Sequence, residues 1–299
     1  MKNKKSLKIK AIISLVIVSL GFSLMSIAAR VMNKSFEPMT QVYLRIFFGF
    51  IIGMVVLKRD INYSKFKKIS IKDWLILFLM GIVGYAIMVD LLTLGVIKSK
   101  LVNVAVISST APLFAYLYSI FIFKKKVKLN IFLLLGISMV GINMIATRSF
   151  IPTLTNFGIG ELYVLLSMAC LAWAFVGRKM LSNYLNNSEV TILMVFIATL
   201  SSYLFSLVGG ETLNLSGFLD VATLIGLIFG SFANISVTWL ENFAFQNIDS
   251  VLGSQILLSE TLFSLILGII IYKEYITMPE VAGAVLVVGS MYITNKLLE

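Results

Sequence analysis

Residues 11–29 read AIISLVIVSLGFSLMSIAA, a run of nineteen without a charge, and residues 1–10, MKNKKSLKIK, place five lysines in front of it. A basic stretch before an apolar one resembles a signal peptide, but the apolar core of such a peptide is only about 7–15 residues long. Nineteen helical residues at about 1.5 Å each cover the roughly 30 Å hydrocarbon core of a bilayer. The stretch therefore reads as a membrane helix that the protein keeps. Outward from it, apolar runs recur with short polar breaks. Helices are expected near 11–31, 38–57, 73–94, 101–123, 130–147, 160–178, 189–208, 219–243, 250–272 and 280–297. No run alternates as a barrel strand does, and in lipid an open chain satisfies its backbone groups only as helices. The expected fold class is an all-α integral membrane protein of ten transmembrane helices.

Composition agrees. Of 299 residues, 59% are apolar and 13% charged, against about 25% charged in soluble domains. A net charge of +11 would suggest nucleic acid as a partner of a soluble protein. Here the basic residues flank apolar runs, as membrane-facing charges do, and no nucleic-acid partner is expected. The chain has no His, and Cys170 is its one Cys. That removes imidazole bases, thiolate clusters and intrachain disulfides, and leaves Cys170 as a small packing residue. No phosphate loop, metal-ligand spacing or nucleophile motif occurs. The expectation is a protein with no cofactor, no metal and no catalytic residue, driven by a gradient rather than by its own ATP hydrolysis.

Basic residues set the orientation. With the N-terminus in the cytoplasm, the segments on that side hold eighteen of the 25 Lys and Arg, in the clusters Lys2–Lys10, Lys58–Lys72 and Lys124–Lys128 and at Arg178, Lys179 and Lys296. The opposite segments hold six, and Arg45 lies within a helix. Positive residues favour cytoplasmic loops. Both termini are therefore expected in the cytoplasm, at the cell (plasma) membrane, with an even number of spans.

The chain also resembles itself. Residues 88–97, MVDLLTLGVI, are similar to 239–248, WLENFAFQNI, with Asp90 and Glu241 near the end of a third helix in each half. A long fourth helix follows each, then a charged turn (Lys124–Lys128; Lys273–Glu274) and a glycine-bearing fifth helix (Gly136 and Gly141; Gly283 and Gly289). Two units are expected, residues 1–147 and 161–299, joined by a linker over 148–160 that carries Pro152, Gly158 and Gly160. Five spans are an odd number, so the second unit enters the membrane inverted. Inverted repeats recur in transporters, whose substrate site lies near the midplane between the halves.

Four places resemble the EamA-type members of the drug/metabolite transporter superfamily. They are Pro38 with Arg45 (PMTQVYLR), the run Ser108-Ser109-Thr110-Ala111-Pro112-Leu113, the segment 160–178 (GELYVLLSMACLAWAFVGR), and Leu258-Ser259-Glu260 followed by Lys273-Glu274, Thr277 and Gly283. Two positions depart from that pattern. Lys124–Lys126 stand where the family often has a glutamate, and Thr261 where a proline commonly follows the ninth-helix glutamate. The resemblance implies two inverted EamA repeats and transport of small metabolites, commonly export of amino acids or related compounds.

An ionised group inside a span costs roughly 2.5–3.5 kcal/mol on insertion scales, so Arg45, Asp90, Glu241 and Glu260 need a reason. Arg45 lies about 10 Å into its helix. A guanidinium there suits a substrate carboxylate, or an acid or helix carbonyls of the protein itself. Glu260, at similar depth, suits a substrate ammonium or a coupling proton, or a permanent pair with Arg45. Asp90 and Glu241 sit nearer helix ends, where interfacial solvation or gating explains them. Asn103, Ser108, Ser109, Trp173, Asn234, Trp239, Gln255 and Ser259 would complete a polar and aromatic cavity, or simply pack helix on helix. Gly49 and Gly53 permit close helix approach, and a monomer and a homodimer both remain open.

The sequence thus points to a secondary transporter, an exporter by resemblance, that moves a small-molecule substrate by alternating access between the repeats. Its surroundings are membrane lipids, and its energy comes from the substrate's own gradient or from a coupled proton or ion. Arg45 and Glu260 together would match a zwitterion, which favours an amino acid. A lipid or lipid-carrier flippase of the same fold is the alternative. A membrane acyl or glycosyl transferase would need paired catalytic groups, often with His.

Overall fold

The computed structural model describes residues 2–32, 35–151, 157–273 and 275–298. All regular elements there are helical, and ten helices are long and apolar enough to cross a membrane. They are α1 (Lys2–Met32), α2 (Pro38–Val56), α3 (Ile71–Lys98), α4 (Leu101–Ser108 and Ala111–Phe123) and α5 (Leu129–Thr147), then α6 (Ile159–Met180), α7 (Asn187–Val208), α8 (Val221–Asn247), α9 (Ser250–Leu257 and Ser259–Tyr272) and α10 (Met278–Leu298). Several helices outrun their expected bounds, α3 for one reaching Lys98. α1 starts at Lys2 rather than near residue 11, because lysines continue a helix about as well as apolar residues do. α8 runs past residue 243 to Asn247, and Asp249 then caps α9 by accepting from the Val251 amide. Pro152 and Glu274, expected in the linker and in the second charged turn, lie outside the described residues.

The helices bury polar residues among apolar ones and turn large apolar residues outward. On α8, Thr223, Ser231, Asn234, Thr238 and Asn242 are buried, while Ile225, Ile228, Phe229 and Phe232 are exposed. A helix bordering water shows the reverse. Here lipid solvates the outer face, and polar side chains find one another within.

The two halves interleave. α1 packs chiefly on α8, and α6 chiefly on α3; α2 lies on α8 as α7 lies on α3; α4 meets α6 as α9 meets α1. α2 pairs with α7, α4 with α9 and α5 with α10. Each relation survives exchange of the first five helices with the last five, which is a two-fold within one chain. At the α5–α10 crossing, a Cβ on Gly141 would fall 2.7 Å from the carbonyl oxygen of Gly283, and a Cβ on Gly283 would meet the Gly141 carbonyl in turn. Backbones approach this closely only through glycine. Gly136 and Gly289, also expected to matter, have nothing within 4 Å of an added Cβ. The charged turns correspond as well: Lys124 after α4 and Lys273 after α9 both take left-handed backbone, at φ 51° and 55°.

Polar ties hold each end of the bundle. At the basic end, Lys65 pairs with Glu189 at 3.2 Å, Lys125 pairs with Asp249, and Asp73 accepts from the Ser182 amide and hydroxyl. At the opposite end, Arg148 pairs with Glu280 at 3.0 Å, and Glu211 accepts from the Met39 and Thr40 amides that open α2.

Candidate functional site

Positions 234, 238, 241 and 245 of α8 are spaced by four, three and four, so they share one helix face. Asn234 Nδ2 donates to the Tyr85 hydroxyl at 2.6 Å, and Thr238 Oγ1 lies 3.4 Å from the same oxygen. Tyr85 stands on a wide turn of α3, where Ile82–Ile87 run as a π-helix. Such turns collect at functional sites because they re-aim side chains out of the regular helical register. The phenol lies within electrostatic reach of both Arg45 on α2 and Glu241 on α8. Gly49, one turn beyond Arg45, brings α2 against the Ser231 carbonyl and Asn234. The result is a polar ladder between the repeats at mid-depth, with a cation and an acid on either side of one tyrosine.

Among the described residues neither charge has an ion-pair partner. Arg45 Nε donates to the Gln41 carbonyl at 3.4 Å, a long contact for a charged donor. Among the described residues no carboxylate lies within ion-pair distance of it. Glu241 Oε1 is buried without a hydrogen-bond partner. Toward the basic end the ladder is floored by Phe245, which stacks on Phe175 of α6 with centroids 4.0 Å apart and ring planes 11° from parallel.

Two spans are interrupted, at matching places in the two halves. α4 breaks at Ser109-Thr110 and α9 at Leu258. In α4, Pro112 has no N–H for the Ser108 carbonyl. Side-chain hydroxyls add donors to carbonyls of the turns at these breaks. Ser109 donates to Val106 at 2.6 Å, Thr110 to Ile107 at 2.7 Å and Ser259 to Ile256 at 2.6 Å. From α1, Ser19 and Ser23 reach the carbonyls of Ile256 and Glu260 at 3.3 and 3.0 Å. Interrupted spans in corresponding positions of two inverted halves point to the binding region of a transporter.

The structure sorts the residues singled out from sequence. It brings Arg45, Asn234 and Glu241 together. Glu260 follows the break in α9 and faces α1; its carboxylate makes no hydrogen bond or ion pair among the described residues, and it is not paired with Arg45. Ser108 and Ser259 border the two breaks. Gln255 donates to Ser138 at 3.2 Å, and Ser138 bonds Ser290 at 2.6 Å, so Gln255 belongs to the α5–α9–α10 contact. Asn103 donates to Glu161 at 2.8 Å and helps hold the first turn of α6. Trp239 donates to Ser188 at 3.0 Å and stacks on Phe243, turned toward α7 and away from the ladder. Trp173 lies edge-on to Tyr118 at 6.1 Å, its Nε1 buried without a partner. Asp90 is buried, and neither carboxylate oxygen has a hydrogen-bond partner. Tyr85, Thr238 and the Phe175–Phe245 pair were not picked out by sequence. A tyrosine in the middle of a span was the one available hint.

Comparison with known proteins gives three results. A family model, that of the EamA-like transporter family, matches residues 9–147 and again 158–296. No curated protein matches. A solved structure, titled only as the crystal structure of a protein, superposes with a TM-score of 0.75 over 98% of both chains at 13% identity. At that identity the likeness concerns the fold alone.

Proposed function

We propose that this chain, which belongs to the EamA-like transporter family, carries a small carboxylate-bearing metabolite, an amino acid or close relative, by alternating access at the ladder between its repeats. Family membership makes it a transporter of the drug/metabolite type with a small-molecule substrate and a lipid environment. The observation that supports the finer reading is the Arg45 guanidinium, which stands within its span with no acid among the described residues at ion-pair distance. A cation inside a span without a counter-charge is costly, and a substrate carboxylate would supply two parallel hydrogen bonds to it. Tyr85, Asn234 and Thr238 would bond the polar remainder of the substrate. Glu241, at the other side of Tyr85, is the acid we assign to a coupling proton, with Glu260 and Asp90 as further acids that alternate between lipid-sealed and wet surroundings. The Phe175–Phe245 stack serves as the gate at the basic end.

In this reading the basic end and both termini face the cytoplasm of a plasma-membrane protein, since 18 of 25 Lys and Arg lie in the segments on that side, as the positive-inside rule favours. Residues 1–147 and 161–299 are the two repeats, and 148–160 joins them. Export is the proposed direction. Transport needs no covalent chemistry from the chain, and none is proposed.

The test is purified protein in liposomes, assayed for exchange of amino acids, nucleosides and a fluorescent phospholipid, with and without a pH gradient. Exchange of an amino acid or organic acid, quickened by the gradient, is the expected result. Movement of the phospholipid alone would replace this reading by the flippase, for which the polar, lipid-sealed ladder gives no support.

A further inference from the structure

Arg178, in the last turn of α6, is 1% exposed and is among the largest fully buried side chains. Its Nη2 donates to Gln246 Oε1 at 2.8 Å, and its Nε is buried with no hydrogen-bond partner. No acid lies within ion-pair distance among the described residues. The position is specific. Phe175 precedes Arg178 by three residues on α6 and Phe245 precedes Gln246 by one on α8, so the guanidinium lies just past the stacked gate, on its basic side. The nearby charges are also unbalanced. Lys179 is within electrostatic reach of Lys125 and Asp249, and Asp249 is already paired with Lys125.

Two ordinary explanations fall short. A lysine or arginine near a helix end usually snorkels to water, which a 1% exposed side chain does not do. The carbonyl end of α6 favours a cation by only about 0.3–1 kcal/mol, far less than the several kcal/mol for taking an ion out of water. An anion is what the guanidinium lacks.

We infer that Arg178, with Gln246, is an anion station at the basic mouth of the pathway, engaging the carboxylate of the substrate when the Phe175–Phe245 gate opens. The inference rests on the transport reading for the identity of the anion, but the site itself does not. Arg45 and Arg178 would then hold the same carboxylate in turn, one on each side of the gate.

The test uses the full chain carrying Arg45→Gln, so that Arg178 is the remaining station, in phosphatidylcholine nanodiscs. Acetate and inorganic phosphate are the soluble probes, and phosphatidylglycerol is the lipid probe. Expected is a rise in Tm with acetate or phosphate, whose half-saturating concentration increases about tenfold or more on adding Arg178→Gln, the loss of a charged hydrogen bond. Without any anion, Arg178→Gln should leave Tm unchanged or raise it. Three results would overturn the inference: a fall in anion-free Tm with Arg178→Gln, which would make the residue structural; an anion response independent of Arg178; or a response to phosphatidylglycerol alone. The transport reading is judged separately. An Arg178-dependent anion response in a protein that moves no substrate would uphold the station and sink the transporter, whereas transport with an unchanged KM in Arg178→Gln would do the opposite.

Discussion

At the scale of the residue, what distinguishes Arg45 is what it lacks. Arg148 is paired with Glu280 at the bundle end, and a substitution there removes a tie. Among the described residues Arg45 makes one long hydrogen bond, to a carbonyl, so its removal should cost the fold little and the substrate much. Arg45→Gln should keep Tm within a few degrees and weaken substrate binding by about tenfold to a hundredfold, the value of a charged, bidentate contact. Arg45→Lys should restore only part of it, since an ammonium lacks the planar fork. Titration calorimetry on the purified variants checks both. Trp239→Phe makes the contrasting case: it loses the bond to Ser188 and should lower Tm without changing affinity. The charges of this site were legible in the sequence because an ionised residue inside an apolar run announces itself. Tyr85 was not, because a π-turn leaves no mark on composition, and phenols are common in spans that carry no substrate. Trp239 and Asn103 looked equally suitable as strings of letters, and only helix rotation assigns them to contacts elsewhere.

At the scale of the element, the breaks in α4 and α9 and the glycine crossing of α5 on α10 carry the account. Pro112→Ala returns an N–H to the Ser108 carbonyl and lets α4 run through its break. We expect a higher Tm and slower exchange in liposomes, since a straightened span resists the rearrangement that moves the site between the two sides. Gly141→Val should do the reverse of stabilising. Its side chain would be driven into the Gly283 backbone, at a cost of about 1–3 kcal/mol for overpacking, read as a lower Tm and poorer recovery of folded protein. The ten helices themselves were plain in the sequence, because twenty apolar residues leave lipid as the only solvent. The break in α4 had its proline to show it. The break in α9 had none, since Thr261 stands where a proline would mark it, and 250–272, like 101–123, was expected as one continuous helix.

At the scale of the molecule, the internal two-fold relates the two ends, each held by its own set of polar ties, and the proposed alternating access would undo one set while keeping the other. Asp249 belongs to the basic end and lies outside the spans. Burial alone would raise its carboxyl, but the hydrogen bond and charge of Lys125, the charge of Lys179 and the Val251 amide outweigh burial and hold it below the usual range. A carboxyl depressed in the folded state contributes stability that is present above its unfolded value, near pH 4, and is lost as pH falls through the folded value. The basic end should therefore loosen in acid, and Lys125→Met should flatten the acid limb of a Tm-against-pH profile. Symmetry was half legible: the paired acids Asp90 and Glu241 suggested two copies, whereas the interleaving of α1 with α8 and α6 with α3 involves contacts between residues far apart in sequence that no local pattern encodes.

The central claim is that a carboxylate sits on Arg45 while Glu241 handles the coupling proton. The most direct measurement is exchange and pH-driven uptake in proteoliposomes for wild type, Arg45→Gln and Glu241→Gln, each with an amino acid and with its carboxamide analogue. The account predicts that Arg45→Gln loses its preference for the amino acid over the amide, and that Glu241→Gln still exchanges substrate across the membrane but no longer responds to a pH gradient. If Arg45→Gln kept the wild-type preference, or Glu241→Gln remained driven by the gradient, the site would lie elsewhere in the bundle.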